Sequence, residues 1–75
     1  MWKEVNQSLV KTFSFDSFPS AIAWMVKASF LMEQQQHHAE WTNVYNKVHV
    51  TLRTHDAGHV VTEKDRQLAE ALDRI

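Results

Sequence analysis

Cysteine is absent from this 75-residue chain, and glycine and proline occur once each. Without cysteine there is no disulfide frame and no thiolate for nucleophilic attack or soft-metal binding, which fits a reducing compartment. A single glycine excludes a Gly-rich phosphate cradle, and no G-x-S-x-G elbow is present. Blocks of one charge are also missing. Eight basic and nine acidic residues are mixed along the chain for a net charge of −1. Nothing therefore suggests direct binding to nucleic acid or to an anionic membrane surface. The longest apolar stretch, Phe18 to Met32, contains Lys27 and is closed by Glu33 and a glutamine run. It is short for a bilayer span, and Met1-Trp2-Lys3-Glu4 is not a signal peptide. The expectation is one small domain over residues 1–75, soluble and cytoplasmic. A chain of this size buries only about 60–65% of its unfolded surface, so its stability alone is marginal.

What is present is a strong alternation of element types. Trp2–Val5 and Leu9–Phe15 predict two strands around the polar turn Asn6-Gln7-Ser8. Leu9, Phe13 and Phe15 share one face of the second, with Lys11 interrupting the row. Asp16 or Ser17 supplies an N-cap, Pro19 is tolerated in the first turn, and a helix runs to about Gln36. Glu40–Val44 predicts a third strand and Lys47–Thr54 a fourth, with Tyr45-Asn46 at the turn. The fourth alternates cleanly, Val48, Val50 and Leu52 against Lys47, His49, Thr51 and Arg53. Asp56-Ala57-Gly58-His59 forms a loop. Thr62-Glu63-Lys64-Asp65 has the pattern of a capping box, opening a helix to about Arg74 that buries Leu68, Ala69, Leu72 and Ile75. The order ββαββα gives an α+β two-layer sandwich, a four-stranded antiparallel sheet with helices on one face.

The long helix is apolar on more than one side. Phe18, Ile22, Met25 and Met32 form one stripe, Ala21, Trp24, Ala28 and Leu31 a second, and Val26 and Phe30 widen the surface. A surface helix has one such stripe. A small sheet covers one side, so the other side predicts self-association into a dimer or tetramer.

The candidate chemistry lies between Glu33 and His55. His37 and His38 fall at a helix end and His55 at a strand end, and such ends can meet at one rim of a two-layer domain. Imidazole titrates near neutrality and can both donate and accept protons. Glu33 lies one helical turn before His37 and is placed to orient it. These residues alone leave three readings open: surface or capping histidines, a metal site, and acid–base catalysis. The metal signal is weak, with no HExxH motif and no cysteine ligand. Trp41 is a packing, interface or substrate-facing aromatic, Asp65 is most simply a helix cap, and His49 and His59 read as a mid-strand polar-face residue and an exposed loop residue.

Several separated motifs in order resemble the pterin-4a-carbinolamine dehydratases. They are Trp2, Phe13-Ser14-Phe15 with Phe18, Glu33-x3-His37-His38, Glu40-Trp41, Val44-Tyr45-Asn46-x-Val48, Leu52-x-Thr54-His55-Asp56-Ala57-Gly58, and Thr62-Glu63-Lys64-Asp65 with Leu68-Ala69. The resemblance covers nearly the whole chain. It implies loss of water from a 4a-hydroxytetrahydropterin to give the quinonoid dihydropterin, with no metal and no cofactor. It further implies His37 and His55 as acid–base residues, His38 as a pterin-orienting one, and Glu33, Trp41 and Asp65 as substrate-binding or supporting residues. Family members pair sheets edge to edge in dimers and pack helices in tetramers.

Three departures stand out. Ala39 replaces the proline usual after the histidine pair, which removes a backbone restraint but no functional group. His59-Val60-Val61-Thr62 makes the loop after Gly58 one residue longer. The N-terminal helix of longer members has no counterpart here. The rival expectation is a non-catalytic binding module, since some relatives are dimerisation cofactors of a transcription factor and others assembly factors.

Overall fold

The computed structural model describes residues 1–75. The elements are β1 (Lys3–Val5), β2 (Ser8–Ser14), α1 (Phe18–Gln35), β3 (Glu40–Val44), β4 (Lys47–Leu52), a 3-10 turn (His55–Ala57) and α2 (Glu63–Asp73). All strand pairs are antiparallel, in the order β1-β2-β4-β3. This is the expected α+β sandwich, with element boundaries moved by a residue or two.

Local chemistry explains most boundaries. Asn6 and Gln7 both take positive φ, 50° and 62°, the pattern of a two-residue hairpin turn that matches strand twist. Ser17, not Asp16, caps α1: its hydroxyl accepts from the Ser20 N–H at 3.2 Å, and Pro19 fits the first turn where no N–H is needed. The β3–β4 turn is tied down by Asn46, whose amide donates to the Phe15 carbonyl at 2.8 Å while the Phe15 N–H donates back at 2.9 Å. Strand β4 stops at Leu52, two residues before the expected end, because Thr54 turns to bridge Val60 instead.

The core lies between the helices and one sheet face. Leu9, Val48, Val50 and Leu52 from the sheet meet Ala21, Trp24, Ala28 and Met32 of α1 and Leu68, Ala69 and Leu72 of α2. Ala21 and Ala28 are fully buried, so α1 sits close over the strands. Trp24 is the centre of an aromatic group, 4.4 Å from Phe13, 5.5 Å from Phe15 and 6.4 Å from Trp41 between ring centroids.

Lys11, on the core side of β2, is accommodated at the core's edge. Its Nζ lies 4.7 Å from the Phe13 ring centroid and 2.7 Å from Asp73 Oδ1, and Asp73 also accepts from the Trp2 indole N–H at 3.1 Å. This ties the last turn of α2 to the first strands.

The stripes of α1 separate differently from the sequence expectation. Met32 joins Trp24 in the core, whereas Phe18, Ile22, Val26 and Phe30 stand in solvent, Phe30 at 71% exposure. Ile75 also lies outside the core at 43% exposure, because α2 ends at Asp73 and the last residue leaves the helix. The opposite face of the sheet carries Lys47, His49 and Thr51. No helix is long and apolar enough to cross a membrane.

Over-packing α1 against the sheet should be costly. Ala28→Leu is expected to lower unfolding free energy by about 1–3 kcal/mol, read from the urea midpoint at unchanged m-value. An unchanged midpoint would show that α1 has room to move off the strands.

Candidate active site

The site grows from the first turn of α2. Thr62 is the N-cap, and Asp65, three residues on, turns its carboxylate back onto it. Asp65 Oδ2 accepts the Thr62 backbone N–H at 2.8 Å, the reciprocal half of a capping box. The same oxygen accepts the Thr54 hydroxyl at 2.8 Å, and Thr54 Oγ1 lies 2.6 Å from Thr62 Oγ1. Asp65 Oδ1 faces His37 Nε2 at 2.5 Å. Asp65 is completely buried. It thus serves as a cap and also as the partner of an imidazole, two roles that look alternative in the sequence.

His37 reaches Asp65 because α1 ends abruptly. Gln36 adopts the left-handed conformation at φ 52°. Its N–H donates to the Glu33 carbonyl at 3.2 Å, and the His37 N–H donates to the Met32 carbonyl at 3.0 Å. These two bonds form a Schellman ending. The chain leaves the helix axis at this point, so His37 is not one turn above Glu33. Glu33 instead binds His38, Oε1 to Nε2 at 2.9 Å, on an exposed surface. The expected Glu33–His37 pairing is corrected accordingly: Asp65 holds His37 and Glu33 holds His38.

The His37 side chain is 11% exposed. With Nε2–H donated to a carboxylate, the neutral ring carries its lone pair on Nδ1. Nδ1 makes no hydrogen bond within the protein, and no side-chain nitrogen or oxygen is buried without a partner, so Nδ1 reaches the surface. His37 borders a cavity of about 410 Å³, within the usual range for small-ligand sites. His37, His38 and His55 line it with Gln36, Glu40, Arg53 and Lys64, and a single wall residue, Ala39, is hydrophobic. His55 opens the 3-10 turn, and Gly58 closes that turn at φ 86°. The His55 ring meets His59 edge to face at 4.7 Å between centroids. Arg53 donates twice to Glu40 Oε1, from Nη2 at 2.8 Å and Nε at 3.2 Å. The Glu40 carboxyl is held below its ordinary range, first by that hydrogen bond and then by the Arg53 charge, with His55 and His59 adding to it. No three His, Asp or Glu side chains group as metal ligands.

The sequence profile described as pterin 4 alpha carbinolamine dehydratase matches residues 1–75. This chain belongs to the pterin-4a-carbinolamine dehydratase family. A protein of Opitutus terrae, whose name assigns it that activity provisionally, is 47% identical over 74 residues, 99% of this chain and 76% of its own length. A similarly named protein of Rhizobium etli is 48% identical over 71 residues, 95% of this chain and 69% of its own. Among solved structures, a Brucella melitensis protein described as a transcriptional coactivator/pterin dehydratase superposes with a TM-score of 0.92 at 36% identity, covering 97% of this chain and 79% of that one. A pterin dehydratase-like protein described as a RuBisCO assembly factor of the alpha-carboxysome superposes at 0.82 with 25% identity, over 97% of this chain and 86% of that one.

The dehydratase-family motifs converge on the cavity in part. The histidines at 37, 38 and 55 meet on its wall, with Asp65 directly behind His37. Trp41 does not line it; the indole lies on the helix side of edge strand β3 and packs toward Trp24. Glu33 stays outside, behind His38. The sequence reading missed Thr54, Arg53 and Lys64 as site neighbours. The available signal for Thr54 was the regular strand pattern breaking immediately before His55.

The Glu40–Arg53 pair yields an acid-range prediction. A carboxyl whose folded pKa is depressed stabilises the fold above its unfolded value, near 4.5, and loses that contribution as pH falls through the folded value. Arg53→Gln should therefore be less stable than the parent near neutral pH, with the gap narrowing as pH falls below 4.5 in urea titrations. A gap independent of pH would show that the pair contributes nothing.

Proposed function

We propose that this chain is a 4a-hydroxytetrahydropterin dehydratase working by histidine general acid–base catalysis. One observation carries the reading. His37, with its Nε2 engaged by a buried carboxylate and its Nδ1 free, shares a cavity with His38 and His55. The reaction cleaves the C4a–O bond and removes a proton from a ring nitrogen, so that the quinonoid double-bond system forms and one water leaves. It needs one group to protonate the departing hydroxyl and another to take the ring proton. Two imidazoles on one wall suit those tasks, and neither step calls for a redox cofactor or a metal. His37 and His55 are the acid–base pair in this scheme, and His38, steadied by Glu33, orients the pterin. Arg53, Glu40 and Lys64 offer the donors and acceptors that a polar heterocycle requires. A cytoplasmic place of action belongs to the same proposal.

A second reading is favoured by a separate observation. Phe18, Ile22, Val26 and Phe30 leave an apolar row on α1 in solvent. One structural neighbour is described as a transcriptional coactivator/pterin dehydratase and the other as a RuBisCO assembly factor. We infer that the row is covered by further copies of this chain in a dimer or tetramer, which leaves the cavity free for catalysis. Sedimentation equilibrium should show an oligomer at micromolar protein, and Phe30→Lys, at a largely exposed position, should dissociate it without unfolding it. A parent protein that stays monomeric would remove self-association from the proposal.

Dehydration of a synthetic 4a-hydroxytetrahydropterin, followed against buffer, tests the activity itself. His37→Ala and His55→Ala should each lower kcat/KM by about 10²-fold or more. His49→Ala should change it by less than about threefold, since His49 lies on the other sheet face against Thr12. Folded and fully active variants at both His37 and His55 would overturn the assignment.

A further inference from the structure

We infer that Thr54 is a positioning residue: its hydroxyl, itself held by Thr62, fixes the Asp65 carboxylate so that His37 keeps its proton on Nε2 and presents Nδ1 to the cavity. The inference rests on His37 acting as proposed above.

The direction of the hydroxyl chain is forced by counting protons. Asp65 Oδ2 is an acceptor, so the single Thr54 hydroxyl proton goes to it. Thr54 Oγ1 can then only accept from Thr62 Oγ1, 2.6 Å away, and the relay runs from Thr62 through Thr54 to Asp65. Oδ2 receives two donors, the Thr62 N–H and the Thr54 hydroxyl, while Oδ1 is left for His37. Without the Thr54 hydroxyl, Oδ2 would keep only the Thr62 N–H, and the carboxylate plane would be held less firmly against His37. Two donors on the same oxygen fix its plane and aim Oδ1 at the imidazole.

Thr54 is itself tied down by its backbone. It is 7% exposed. Its N–H donates to the Val60 carbonyl at 2.9 Å, and its own carbonyl accepts from the N–H of His59 at 3.0 Å. The next residue is His55. One rigid backbone position therefore sets both the carboxylate behind His37 and the start of the turn that carries His55. Hydrogen-bonded neighbours of this kind set the tautomer of an imidazole. A purely structural Thr54 would affect only the stability of the α2 cap.

The test uses the full chain with 15N-labelled histidine and three variants. Thr54→Val keeps the shape and removes the hydroxyl, Thr54→Ser keeps the hydroxyl, and Thr62→Val removes the donor to Thr54. In the parent, the His37 ring signals should report the neutral form protonated at Nε2. Thr54→Val should show mixed tautomers and faster exchange of the Nε2 proton, with kcat lower by about tenfold or more and KM within about twofold. Thr54→Ser should restore both readouts. A Thr54→Val protein with parental ring signals, or one that loses only melting temperature, overturns the inference. If Thr54→Val does not fold, Thr62→Val decides, with the same signature in weaker form expected and unchanged ring signals counting against the inference. Should the parent prove inactive as a dehydratase, the proposed function fails, and the ring signals still decide the positioning role.

Discussion

A fully buried carboxylate in a 75-residue chain is the constraint that the rest of the structure answers to. Removing a charge from water costs several kcal/mol unless the charge is well partnered. Asp65 meets that cost with the Thr62 N–H, the Thr54 hydroxyl and the His37 ring, drawn from three separate stretches of chain. Each partner must be delivered by a specific local structure. The Schellman ending at Gln36 delivers His37, the Thr54–Val60 bridge delivers Thr54, and the α2 cap delivers Thr62. The carboxylate therefore joins the end of α1, the end of β4 and the start of α2 at one point. The cavity opens at that same point, so the interaction closing the fold also orients the candidate catalytic ring.

The arrangement separates rigid from adjustable parts. His37 is backed by the core and is almost enclosed. His38 and Glu33 face each other on an exposed surface, where such a pair contributes little to stability. His55 stands on a short 3-10 turn beside His59, next to the Arg53–Glu40 pair. The three histidines thus share a wall with unequal support, which suits a site in which one ring is preset and the others can adjust to a bound molecule.

Much of the fold was legible because hydrophobic periodicity and turn chemistry agreed. The alternation of Val48, Val50 and Leu52 identified the buried face of β4, and Thr62 to Asp65 marked the start of α2. The faces of α1 were not separable in advance, since both stripes are apolar and only the seating of Trp24 against Phe13 and Phe15 selects one. Gln36 gave no C-cap signal, because residues other than glycine seldom take the left-handed conformation. That hidden turn is why helical spacing points Glu33 at His37, whereas in the structure it reaches His38. Trp41 carried equal signals for packing and for binding, and the strand pairing decided for packing. For the site, the histidines at 37, 38 and 55 could be named from family resemblance, whereas the Thr62–Thr54–Asp65 relay depends on contacts between residues eight and eleven positions apart, which no local pattern reveals.

In the proposed mechanism Asp65 acts on the reaction through His37. A double-mutant cycle on dehydration of 4a-hydroxytetrahydropterin measures this most directly, comparing Asp65→Ala, His37→Ala and the pair. Asp65→Ala should reduce kcat/KM strongly in the parent and hardly at all once His37 is gone, with folding of every variant checked by circular dichroism. Reductions that simply multiply in the double variant would contradict the account, because they would mean that Asp65 and His37 act independently.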